Sequence, residues 1–112
     1  MRKPFAAGAF AVALMLLPLS AGAFECPKHF AATEAEIARV SKALEAAGDG
    51  VPAADRALVH ALLDDAKMLL AGAKHNHEKP QGKYDHARAI AKADSARAYA
   101  RAAGMLLERV GG

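Results

Sequence analysis

Twelve consecutive residues, His75-Asn76-His77-Glu78-Lys79-Pro80-Gln81-Gly82-Lys83-Tyr84-Asp85-His86, contain three of the chain's five histidines and two acids. Neutral imidazole is a good ligand for zinc, copper or nickel, and a carboxylate can complete a mixed shell. Pro80-Gln81-Gly82 obliges the chain to turn, so groups on either side of it can meet. His75 and His77 alone make a weak pair, because their rings need not face one point at a helix end. His86, across the turn, extends the pair to three imidazoles. Two further donors stand far away in the chain: His29 and Cys26, the single cysteine. A thiolate would bias such a site toward copper(I) or zinc. The candidate metal ligands are therefore His75, His77 and His86 first, His29 and Cys26 as additions, and Asp85 and Glu78 as nearby carboxylates.

A structural reading competes for the same residues. Protonated imidazoles late in a helix stabilise its negative end, and Asp85 faces the unpaired amides that open the next helix. That reading covers His75 and His77 but leaves the coincidence with His86 and His29 unexplained. His60 precedes His75 by fifteen residues, which is ~22 Å along a helix, so it does not join them. Met68 and Met105 fit helical spacing better as core residues than as thioether ligands. Tyr84 and Tyr99 read as packing groups, and Asp94 with Arg97 as an i,i+3 surface pair. Cys26 and His29 resemble a nucleophile and base by residue type only. A non-enzymatic binding or interaction protein is favoured over an enzyme.

These residues need elements to hold them, and the chain supplies three helical stretches. Thr33-Glu34-Ala35-Glu36 fits a capping box. It sets the start of a first helix running to Ala47 and ending at Gly48-Asp49-Gly50, with Ile37, Val40 and Leu44 on one face. Residues Phe24 to Ala32 read as an irregular lead with Phe30 as an anchor. Pro52 suits a helix start. Val59, Leu62, Leu63, Ala66, Leu70 and Ala73 then recur at helical spacing between Ala53 and Lys74, with Leu58 and Leu69 widening that face. Tyr84 or Asp85 opens a third helix to about Arg109, with Ile90, Tyr99, Met105, Leu106 and Val110 as its larger apolar groups. The expected fold is all-α, a compact antiparallel bundle of three main helices. The sparse supply of large side chains leaves room for completion by a second copy or by a bound ion. In an up-down-up arrangement, Cys26, His29, His75, His77 and His86 gather at one end.

Export and charge narrow the context. Arg2 and Lys3 precede an apolar run from Phe5 to Leu19, and Ser20-Ala21-Gly22-Ala23 follows. That order is expected of a secretory signal peptide over residues 1–23, cut after Ala23, leaving a mature helical domain over 24–112. The run is short of the ~20 residues needed to span a bilayer, so no stable membrane insertion is expected after processing. Loss of Arg2 and Lys3 takes the formal charge from +3 to +1. No basic cluster remains to hold a phosphate backbone, which argues against nucleic acid. One cysteine excludes an intramolecular disulfide, and the Cys-x-x-Cys-His haem-attachment pattern is absent.

With a leader of this kind, alanine-rich helices and His60, His75, His77 and His86, the chain resembles the small exported histidine-containing metal-binding proteins built as helical bundles. The resemblance implies a periplasmic protein that sequesters copper or nickel. The chain departs from that pattern in having few histidines, in concentrating them at one turn, and in carrying Cys26. The expected function is transition-metal binding in the periplasm or another exported setting. The ion would be buffered or delivered, with copper ahead of nickel or zinc. The alternative is a structural or interaction module that docks on an exported partner or on a second copy of itself.

Overall fold

Cys26, Phe30, Thr33, Ile37, Val40 and Leu44 recur at alternating intervals of three and four residues, and all six are buried. Such spacing gives one apolar stripe on one helix face. It explains why the first helix does not begin at Thr33. The computed structural model describes residues 3–111, with side chains from Glu25 to Val110, so the expected leader lies outside the residues whose side chains are described. In it α1 spans Lys3–Ala47, and the segment expected to be an irregular lead is helical. Thr33 is not a cap. Its hydroxyl lies 2.9 Å from the His29 carbonyl one turn back and 2.8 Å from the Ala93 carbonyl on another helix.

A 3-10 turn over Gly48–Gly50 follows, then α2 over Ala53–Glu78 and α3 over Asp85–Gly111. The fold is all-α, a three-helix antiparallel bundle with no strand among the described residues. Gly48 takes φ +52°, the left-handed conformation that commonly ends a helix and that glycine adopts without steric cost. Pro52 stands just before α2, and its carbonyl accepts from the Arg56 amide at 2.9 Å. Among the described residues no helix is long and apolar enough to cross a membrane.

The core of α2 is Val59, Leu63, Ala66, Leu70 and Ala73, as expected from its periodicity. Leu62 and Leu69 are partly buried, whereas Leu58 is exposed. On α3 the buried stripe is Ala89, Ala93, Ala96, Ala100, Ala103 and Leu107. The larger residues expected there lie elsewhere: Ile90 and Leu106 are partly buried, and Tyr99 and Met105 are exposed. Met68 is exposed as well, so neither methionine is the core residue that spacing suggested. The reason is steric: a face of alanines lets neighbouring backbones approach closely, and a large side chain would hold them apart. At the α1–α3 contact a Cβ added to Gly104 would come within 3.1 Å of Val40 Cγ2.

Polar contacts fix the register. His29 Nδ1 lies 2.6 Å from Asp94 Oδ1, Thr33 reaches Ala93, and Lys74 Nζ pairs with Glu34. These contacts run α1 parallel to α3 and antiparallel to α2. Consequently the turn of α1 around Cys26, the last turn of α2 and the first turn of α3 lie together.

Candidate metal centre

The last turn of α2, the first turn of α3 and the turn of α1 around Cys26 close the core with side chains that are not hydrocarbon. Extending the α2 stripe beyond Leu70 and Ala73 by four residues reaches His77, which is helical because α2 continues to Glu78. Extending the α3 stripe back from Ala89 and Ala93 reaches His86, in the first turn. On α1 the stripe reaches Cys26, its first buried residue among those whose side chains are described. Each helix thus contributes one donor, and one ligand atom from each of Cys26, His77 and His86 lies within 4.8 Å of the other two.

Burial shapes the chemistry of this trio. Cys26 is fully buried and both histidines are half-buried. The rings of His77 and His86 meet edge to face at 5.4 Å, and Phe30 closes the inner side at 5.6 Å from His77. Nδ1 of His77 and Nδ1 of His86 are both cut off from solvent with no hydrogen-bond partner. Such atoms ordinarily find a donor or acceptor, because stripping one of water without replacement costs roughly 1–3 kcal/mol. The Cys26 thiol donates to the His86 carbonyl at 3.6 Å. Burial pushes this thiol above its ordinary value, against a smaller opposing backbone hydrogen bond, and the nearby Glu25 charge adds to the rise. A bound cation would reverse that balance by stabilising the thiolate.

The other expected ligands lie outside this cluster. His75 is exposed and lines a cavity of about 310 Å³ with Asn76, Lys79, Gln81, Gly82, Tyr84, Asp85 and Arg88. Glu78 is exposed at the end of α2. His29 is held by Asp94 and, at 3.7 Å, by Glu25. That contact also takes Asp94 away from the i,i+3 pairing expected with Arg97. Asp85 opens α3 as expected of a helix-start acid, accepting from the Gln81 amide at 2.6 Å and from Arg88 at 3.3 Å. The Gln81 hydrogen bond, then Arg88, hold its carboxyl below the ordinary value. His60 is exposed on α2 well away from the trio.

The cluster can coordinate a metal ion: a soft sulfur, two nitrogens, a largely enclosed setting, and one donor from each helix. Phe30, expected only as an anchor, is the wall of the site. Comparison of the chain with protein-family models, with curated proteins and with solved structures finds no match.

Proposed function

We propose that this protein binds a transition-metal ion through Cys26, His77 and His86, and buffers or delivers that ion, copper ahead of nickel or zinc. The observation that carries this reading is that Cys26, His77 and His86 bring one ligand atom each within 4.8 Å of one another, while Nδ1 of both rings is buried without a partner. Buried ring nitrogens without a partner are costly in a purely structural core, and a metal ion satisfies donors of this type. Binding is expected to displace the thiol proton, because the thiolate is the ligand.

The setting proposed is the periplasm or another exported compartment. Pro27 supports it. In the interior of a long helix a proline removes a hydrogen bond and crowds the preceding turn, but it is tolerated in a first turn. A cut after Ala23 would leave Pro27 in the first turn of the mature helix.

Metal titration of the purified protein by calorimetry under reducing conditions tests the reading. One ion per chain is expected, lost on substitution of Cys26, His77 or His86 and retained on substitution of His75, His60 or His29. Retention in all three of the first group would remove the proposal. A second reading, an interaction module, is favoured by the exposed Leu58, Met68, Tyr99 and Met105. It predicts self-association or partner binding that persists when both His77 and His86 are replaced.

A further inference from the structure

We propose that the Cys26–His77–His86 cluster takes a single cuprous ion, held three-coordinate by one thiolate and two imidazoles, in preference to zinc or nickel. This rests on the reading of the cluster as a metal site and adds the ion's charge and coordination number.

The donor count is the first argument. Among the described residues only these three side chains bring ligand atoms of histidine, cysteine or acid within 4.8 Å of one another. The groups that could have supplied a fourth are committed elsewhere. His29 is bound by Asp94 and Glu25, and Asp85 is bound by Gln81 and Arg88. His75 and Glu78 are exposed. Met68 and Met105 are exposed too, and lie roughly 13 Å and 28 Å along their helices from His77 and His86. Zinc in structural sites almost always takes four protein ligands and with three keeps a water as its fourth, and nickel with nitrogen donors prefers a tetragonal arrangement. A cuprous ion is satisfied by three donors without an added water, and thiolate is a donor that selects it.

Charge is the second. On binding, Cys26 loses its proton to solvent and the sulfur–metal bond forms, with no electron transferred. One thiolate and two neutral imidazoles carry a charge of −1. A monovalent ion makes the assembly neutral, whereas a divalent ion leaves a net positive charge in a pocket walled by Phe30 and closed below by the alanine-lined core. Burying an uncompensated charge is costly. The nearest acid to the sulfur in sequence, Glu25, pairs with His29 at 3.7 Å and supplies no ligand atom to the cluster, although its charge is felt at the thiol.

The experiment is a competition, run anaerobically on the purified protein. Cuprous ion is partitioned between the protein and a chromophoric cuprous chelator, then challenged with zinc and with nickel at about a hundredfold excess. X-ray absorption of the copper-loaded wild type supplies the donor set independently of any variant. Expected are one cuprous ion per chain, retained against both challengers, one sulfur and two nitrogens at copper, and one proton released. Cys26→Ser and His86→Gln should each weaken cuprous binding by more than the ~10–100-fold that loss of a group merely orienting a ligand costs. Zinc displacing copper from the same three residues with a fourth ligand overturns the cuprous assignment and leaves the metal site standing. Binding of copper, zinc and nickel that is indifferent to both His77 and His86 removes the site and this proposal together.

Discussion

Replacing His77 by phenylalanine should leave the metal-free protein at least as stable as the wild type while abolishing its response to metal. Nδ1 of His77 is buried without a partner, an arrangement worth roughly 1–3 kcal/mol of destabilisation. Phenylalanine removes that atom and can keep the edge-to-face contacts at 5.6 Å to Phe30 and 5.4 Å to His86. Its slightly larger ring offsets part of the gain, because a packed site resists added volume. In a domain of this size roughly 1 kcal/mol moves Tm by about 4–8 °C. The metal-free variant is therefore expected to melt level with the wild type or several degrees above it. With metal at about a hundred times its Kd the wild type should gain roughly 2.7 kcal/mol, or about 11–22 °C on the same scale. The variant should gain nothing. Calorimetric melting with chelator and then with copper or zinc measures both. A metal-free variant that loses about 2 kcal/mol or more, as an ordinary core truncation does, yet keeps the full metal shift, would refute the reasoning.

Other substitutions and conditions separate scaffold from site. Thr33→Val removes the hydroxyl that joins α1 to the Ala93 carbonyl, and should cost about 1 kcal/mol in urea denaturation. It should also weaken metal binding, because Thr33 sits two turns from Cys26 on the same stripe. Gly72→Ala places a Cβ at ordinary contact, 3.6 Å from Lys92, and should stabilise by up to about 1 kcal/mol through helix propensity. Gly104→Ala drives a Cβ to 3.0 Å from Arg39 Nη2 and 3.1 Å from buried Val40, and should instead destabilise by about 1–3 kcal/mol. Two pH limbs follow from the shifted groups. The Asp85 carboxyl is lowered on folding, so its contribution is present above the ordinary carboxylate value and lost as pH falls through the folded value. The Cys26 thiol is raised on folding, so its contribution is full below about 9 and lost as pH rises through the folded value. Cys26→Ser should flatten that alkaline limb in the metal-free protein, as read by melting temperature against pH.

Three helices, their turns and most of the α2 core can be read from the residues, because Val59, Leu63, Ala66, Leu70 and Ala73 stand out from polar neighbours at a clear period. The start of α1 cannot be read so directly. Thr33 and Glu36 have the pattern of a capping box, yet a threonine inside a helix can instead bond back to the carbonyl four residues earlier, as Thr33 does to His29. Alanine blurred α3 for another reason. A stripe of alanines has little contrast with an alanine-rich background, so the eye goes to Tyr99 and Met105, which are exposed.

The gathering of Cys26, His77 and His86 at one bundle end follows from chain direction and turn chemistry. What the pattern left open was which histidine of the turn faces inward. Ending α2 at Lys74 makes His75 and His77 equivalent. Carrying it to Glu78 puts His77 on the buried stripe, four residues after Ala73, and leaves His75 outside. Cys26 stands at the same interval before Phe30 and Thr33, but an irregular lead over Phe24 to Ala32 hides that spacing until α1 is seen to run through it; sulfur there packs as a small apolar group until a metal arrives. The chemistry is thus a last layer of the core in which hydrocarbon has been exchanged for donors.

Element-specific anomalous diffraction from crystals of the metal-loaded protein tests that account most directly. It predicts one peak per chain, bonded to Cys26 Sγ and to a ring nitrogen of each of His77 and His86. A loaded protein whose ion sits instead on His75, Glu78 or His60, with the sulfur and the two half-buried rings left as they are, would contradict it.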